Sequence, residues 1–207
     1  PRTSPYTFRG LGEDGLKLLA EMRDKYNLLI ATEMRDATHA DKVVEYADIV
    51  QIGAKAMYDH GLLTAAGQAG KPVILKRGFG STVQELVNCA DFIMSCGNEQ
   101  VIVCERGIRS FETNTRFTLD LCGVAWLKQH CNLPIILDPS HAMGYAYGIA
   151  DLSRASTAMG IDGLLIETHP EPEKALSDAP QQLNHQQFCD MYASLKSIAQ
   201  AVGKTLV

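Results

Sequence analysis

Six short apolar runs, each ending in a charged or polar tip, constrain the fold of this chain more than any other feature. They read "LLIATEM" from Leu28, "DIVQIGA" from Asp48, "PVILKRG" from Pro72, "VIVCERG" from Val101, "PIILDPSH" from Pro134 and "GLLIETH" from Gly163. Each is too short for an ordinary helix, is rich in Ile, Val and Leu, and does not alternate cleanly. Strands buried on both faces of a parallel sheet read this way. Between them lie stretches with helical periodicity. In "STVQELVNCADFIMSCG", Ser81 and Gln84 fit a capping box. Val83, Leu86, Val87, Ala90, Ile93 and Met94 share a face, and Gly97 suits the stop. "THADKVVEYA" and "ADLSRASTAMG" behave similarly, and "NHQQFCDMYASLKSIAQAVG" reads as a final packing helix. Strand and helix alternating in this manner predict an α/β fold.

The runs begin roughly 20 to 33 residues apart, which fits either a doubly wound sheet or a (β/α)8 barrel. The glycine-rich dinucleotide fingerprint follows none of them. No linker, charge block or compositional break interrupts the chain, so residues 1–207 are expected to form a single domain. The opening "PRTSPY" reads as a loop leaving a strand that lies before residue 1. One to two strands at the N-terminus are therefore expected to be missing from a barrel.

At 46% hydrophobic and 21% charged, the chain has ample material for a core. Its net charge of −5 carries no footprint for nucleic acid or acidic membranes. No apolar run approaches the roughly 18 residues of a membrane span. Cys89, Cys96, Cys104, Cys122, Cys131 and Cys189 form no C-x-x-C pair, a pattern that fits a reducing cytoplasm better than a disulfide framework.

The tips of the runs carry Glu33, Lys55, Lys76, Glu105 with Arg106, Asp138 with His141, and Glu167 with His169. In a parallel barrel, every strand exit opens onto one face, where active sites are built. One charged tip is ordinary loop polarity, but six in succession imply partners or ligands. They sort by chemistry. Lys55, Lys76 and Arg106, with Arg2 in the opening loop, form a cationic set suited to phosphates. His141, Glu167 and Asp178 form a nitrogen and oxygen set suited to a divalent metal of the Mn, Fe or Zn kind. A histidine and two acids serve equally well as a structural hydrogen-bond network, and spacing alone does not choose. His169 is read as a loop residue, and Phe117 and Trp126 as core residues of the helix after "CERG".

Seven motifs, in order, carry a resemblance: "PRTSPYTFRGLG", "ATEMRDATH", "QIGAKAM", "VILKRG", "GNEQVIVCERGIRSFE", "LDPSHAMG" and "IETHPEPEKALSDAPQQL". Together they closely resemble the 3-deoxy-7-phosphoheptulonate (DAHP) synthases, in the branch related to 3-deoxy-octulosonate 8-phosphate synthase. That resemblance implies a (β/α)8 barrel and a transferase. The reaction it implies is a metal-dependent condensation of phosphoenolpyruvate with erythrose 4-phosphate, the first step of the shikimate pathway. It implies His141, Glu167 and Asp178 as metal ligands. Lys76 and Arg106, with the Ala54 backbone and the Lys55 side chain, would hold phosphoenolpyruvate. Arg2 and Thr3 would meet the aldose phosphate, Glu33 would face the enolpyruvate, and Arg109 would contact phosphate. A homotetramer or homodimer is the usual assembly of the family.

Two departures stand out. The family's cysteine metal ligand, in a G-P-C type motif, and the lysine usually preceding P-R-T-S would both lie before Pro1. The native protein is therefore expected to be longer by about 50 to 60 residues, judged from barrel dimensions. Lys55 stands where the family most often has arginine, keeping the charge and losing the bidentate fork. The nearest rival reading is 3-deoxy-octulosonate 8-phosphate synthase, which carries an A-N-R-S type sequence where this chain reads "PRTS". A non-catalytic barrel descended from the family is the alternative of a different class.

Overall fold

The computed structural model describes Tyr6, Phe8 and residues 10–207. Its chain falls into two compact units, Arg9–Cys104 and one built on Glu105–Val207. Each is taken in turn.

The first unit begins with helix α1 (Glu13–Tyr26), followed by β1 (Ala31–Glu33), α2 (Ala40–Tyr46), β2 (Ile49–Ile52), α3 (His60–Gln68), β3 (Val73–Lys76), α4 (Val83–Ser95) and β4 (Val101–Glu105). All the strand pairings are parallel and sequential. Ala31 lies opposite Ile49, Val50 opposite Val73, and Val73 opposite Val101. Continuous apolar character is what lets β3 bury every residue, and β4 buries all but Ile102. Leu62, Leu63 and Ala66 of α3 and Leu86, Ala90 and Ile93 of α4 are buried too, and the two helices pack on each other. Each of the larger of these side chains contributes about 1.5–3 kcal/mol by leaving water.

Three details differ from the sequence reading. Helix α1 was not singled out, and it buries none of its residues. Leu28 and Leu29 are exposed and precede β1, a strand paired only with β2 among the described residues, so its burial is partial. The capping box of α4 lies one residue later than expected, at Thr82 and Glu85. Ser81 is buried and accepts a hydrogen bond from Tyr58 Oη at 2.9 Å, which engages it away from the helix end.

The second unit contains α5 (Leu121–His130), β5 (Ile135–Leu137), the short α6 (Pro139–Met143), α7 (Ile149–Ala158), β6 (Gly163–Leu164) and α8 (His185–Ala201). Strands β5 and β6 pair in parallel, with Ile136 opposite Gly163. Met143, Ile149, Leu183 and Met191 form an apolar cluster under α7 and α8. Asp120 caps α5 by accepting from Gly123 N at 2.7 Å, so the helix starts after Phe117 rather than including it. Phe117 and Trp126 are half-buried, not core. All six expected strands are present, and the fold is α/β with parallel strands. No helix among the described residues is long and apolar enough to cross a membrane.

Candidate metal and substrate site

In the second unit the chain turns at the end of β5 into α6, and the residue that caps this turn also prepares the site. Asp138 is fully buried. Its Oδ1 accepts from His141 N at 3.0 Å, while its Oδ2 lies 2.8 Å from His141 Nδ1. That second contact is close without the alignment of a hydrogen bond. A carboxylate beside Nδ1 favours a proton there, which leaves the Nε2 lone pair facing outward to ligate a cation. Nε2 lies 3.6 Å from Glu167 Oε1.

Glu167 follows β6 and is tied back to α6, its N donating to Ser140 Oγ at 3.0 Å. Burial pushes its carboxyl above the ordinary carboxylate range. The His141 ring and the Gln181 amide oppose that rise, and the charges of Asp178 and Asp138 reinforce it. Asp178 sits at φ 51°, a left-handed conformation that aspartate tolerates better than most residues, before the single turn Ala179–Gln181. One donor atom each from His141, Glu167 and Asp178 lies within 4.8 Å of the others. A half-buried set of one imidazole nitrogen and two carboxylate oxygens suits a transition-metal dication. A cation there would offset the burial and the neighbouring negative charges that raise Glu167, so the residues fit the expected metal. His169 is not among them; its Nδ1 accepts from Glu171 N at 3.0 Å within its own loop.

Two neighbours escaped the sequence reading. Arg116 Nη1 donates to Asp178 Oδ1 at 3.1 Å and to Gln181 Oε1 at 3.0 Å. Gln181, fully buried, donates from Nε2 to Glu167 Oε2 at 2.5 Å. The motif strings "TRFTLD" and "APQQL" contain both, but nothing in their spacing couples them.

The cationic candidates take separate places. Arg106, buried at the exit of β4, has its guanidinium carbon 4.5 Å from the centre of the Phe117 ring. Its neighbour Glu105 is fully buried and structural, accepting from Gly107 N at 2.6 Å. Arg109 lies beyond, exposed beside the Ile108–Thr118 bridge. In the first unit Lys76 is buried at the end of β3 and Lys55 is exposed in the turn Ala54–Ala56 after β2. Glu33, at the end of β1, meets that turn. A Cβ on Gly53 would stand 2.1 Å from Glu33 Oε1, so a larger residue there would turn the Glu33 carboxylate aside. Arg2 and Thr3 lie outside the described residues. A cavity of about 540 Å³ elsewhere in the second unit is lined by apolar residues such as Ile166, Phe188, Met191 and Leu195. Its lining suits neither phosphates nor a dication.

Parallel strands that deliver an imidazole, carboxylates and buried cations to their exits define an α/β protein with a candidate metal site and candidate anion-binding side chains. The particular family follows from comparison. A family model described as the DAHP synthetase I family matches residues 1–203, and the chain belongs to that family. Phospho-2-dehydro-3-deoxyheptonate aldolase of Thermotoga maritima is 48% identical over 203 residues, which are 98% of this chain and 60% of that protein. A 2-dehydro-3-deoxyphosphooctonate aldolase of Stenotrophomonas maltophilia is 35% identical over 191 residues, 86% of this chain and 68% of the relative. Among solved structures, a truncated 3-deoxy-D-arabino-heptulosonate 7-phosphate synthase from Thermotoga maritima superposes with a TM-score of 0.94 at 44% identity, covering 97% of this chain and 76% of that one. The chain thus spans about 60% of the length of the Thermotoga aldolase it matches.

Proposed function

We propose that this chain is the catalytic part of a DAHP synthase. It would condense phosphoenolpyruvate with erythrose 4-phosphate and water to give DAHP and inorganic phosphate, at the head of the shikimate pathway. The observation that carries the proposal is the convergence of His141, Glu167 and Asp178 donor atoms within 4.8 Å, in a chain of this family. The higher identity to the heptonate aldolase than to the octonate aldolase favours erythrose 4-phosphate over arabinose 5-phosphate. Residues 1–207 would form most of a single (β/α)8 barrel domain, in a cytoplasmic homotetramer or homodimer.

His141, Glu167 and Asp178 would hold a divalent cation of the Mn, Fe or Zn kind. Bound there, it supplies Lewis acidity that makes the aldehyde carbon a better electrophile. The chain's own side chains do the rest. Lys76 and Arg106 are buried cations, and an anionic ligand would balance their charge where water screens it little. We assign them to the phosphate and carboxylate of phosphoenolpyruvate, with the Ala54 backbone and Lys55 alongside. Glu33 faces the enolpyruvate. Arg109 contacts a phosphate, and Arg2 and Thr3 meet the phosphate of the aldose. Positioning two anions for attack of C3 on the aldehyde removes the entropy of their encounter. Positive charge around the phosphate stabilises the negative charge that gathers on it as it leaves with its bridging oxygen, while water supplies the oxygen left at C2.

The test is phosphate release by the full-length protein from phosphoenolpyruvate with erythrose 4-phosphate, run beside arabinose 5-phosphate, with and without a chelator. Release that needs erythrose 4-phosphate and is restored by Mn after chelation is expected. Preference for arabinose 5-phosphate would reassign the substrate. No release with either sugar, from the folded full-length protein supplied with metal, would refute the proposal.

A further inference from the structure

Each carboxylate of the metal-ligand set is gripped at one of its two oxygens by the same pair of side chains. Arg116 holds Asp178 through Oδ1, and Gln181 holds Glu167 through Oε2. Arg116 and Gln181 are themselves joined, Nη1 donating to Oε1 at 3.0 Å. The amide of Gln181 therefore has one workable orientation. A guanidinium only donates and an ionised carboxylate only accepts, so Oε1 must face Arg116 and Nε2 must face Glu167. Gln182 Nε2 approaches the same Glu167 oxygen at 3.4 Å, adding to the demand on Oε2 rather than on Oε1. Oε1 is the atom turned toward His141.

The pair is anchored from behind. Arg116 N donates to Met143 O at 3.0 Å and Phe117 N to Ala142 O at 2.8 Å, which staples this loop onto the helix that bears His141. The approach is so close that a Cβ on Gly144 would fall 2.5 Å from Arg116 Cβ, so the C-cap of α6 has to be glycine. Arg116 and Gln181 thus link both acids to the element that carries the imidazole.

We propose that Arg116 and Gln181 are positioning residues that restrict Glu167 and Asp178 to one ligating oxygen each, biasing the site toward small transition-metal dications and against calcium. Calcium takes six to eight oxygens and commonly draws two from one carboxylate, whereas zinc takes about four donors and manganese about six, each satisfied by one atom per side chain. A carboxylate with one oxygen already committed is a poor bidentate ligand. The inference rests on the reading of His141, Glu167 and Asp178 as a metal set, and extends it from which residues bind to which cation they select.

Titration calorimetry with Mn²⁺, Zn²⁺ and Ca²⁺ alone, on the wild type and the variants Arg116→Met, Gln181→Met and Arg116→Lys, tests this. The ratio of affinities is the readout, because removing the arginine charge alters the binding of every dication and cancels in the ratio. Arg116→Met and Gln181→Met should lower Mn²⁺ affinity about 10- to 100-fold, as lost outer-shell partners do, while Ca²⁺ affinity falls less. Arg116→Lys, whose single ammonium is able to bridge the same two acceptors, should recover most of the discrimination. The visible absorption of bound Co²⁺ should change in the two methionine variants and return in the lysine variant. Gln181→Met is uncharged and carries the test if Arg116→Met fails to fold. Folded variants that keep the wild-type Mn²⁺ to Ca²⁺ ratio would overturn the inference while leaving the metal reading intact. A wild type that binds none of the three cations would overturn both.

Discussion

Asp138 Oδ2 stands 2.8 Å from His141 Nδ1, and the same carboxylate caps the helix that carries the histidine. One buried acid therefore holds the backbone and faces the ring of the central residue in the candidate metal set. Asn at this position still caps the helix but presents no negative charge to the ring. Asp138→Asn should leave the fold intact and lower Mn²⁺ affinity about 10- to 100-fold, read by competition with a chelating dye. Unchanged affinity would show that the acid serves the helix alone.

Lys55 offers a second test, independent of the metal. As an ammonium it presents a compact point charge, where arginine would present a planar fork to a phosphate or carboxylate. It lies exposed in the turn after β2, so the larger side chain has room. Lys55→Arg should lower the KM for phosphoenolpyruvate roughly three- to tenfold with little change in kcat, the signature of uniform binding gained. Steady-state kinetics that show no fall in KM would remove Lys55 from the substrate contacts.

How far the sequence foretold this structure depends on which residues are considered. The strands announced themselves because β3 and β4 are buried nearly throughout, and burial on both faces leaves an uninterrupted apolar run. His141 and Glu167 were legible as residue types at strand exits and Asp178 as an acid nearby, and the fold brings their donor atoms together. Arg116 and Gln181 were not. They act across separations of 62 and 65 residues, through contacts that have no period and no fixed spacing. The misplaced capping box has a different cause. Ser81 and Thr82 both suit a helix start, and the choice is made by the long-range bond from Tyr58 to Ser81, which no local pattern records. Helix α1 went unremarked because amphipathic spacing without a buried face gives no tertiary signal to confirm it.

Helix α8 provides a test of local structure. Asn184 accepts from Gln187 N at 2.9 Å, and Gln187 returns a bond to Asn184 N at the same distance through its Oε1, which acts as acceptor. Reciprocal caps satisfy two backbone N–H groups that the helix leaves over. Asn184→Ala should destabilise the protein by about 1 kcal/mol in urea unfolding, and Asn184→Asp should restore most of it. An unaffected midpoint would mean that packing of Met191, Leu195 and Ala199 sets the stability of α8 without help from its cap.

The Asp162–Lys204 pair makes stability depend on pH in a direction that can be derived. Asp162 Oδ2 accepts from Ile135 N at 2.9 Å, and its Oδ1 lies 2.7 Å from Lys204 Nζ. Burial by itself would raise the Asp162 carboxyl, but the Lys204 ammonium and the Ile135 N–H outweigh it and hold the group below the usual aspartate range. A carboxyl whose folded-state value is depressed contributes stability above its unfolded value and loses it as pH falls through the folded one. Asp162→Asn should therefore unfold at a lower urea midpoint than the wild type at pH 7. The gap should close as pH drops below about 4. Both partners are substantially exposed, which limits the difference at neutral pH to about 1 kcal/mol or less. A gap of the same size at pH 7 and pH 3 would assign the effect to lost packing at the β5–β6 edge, and not to the charge.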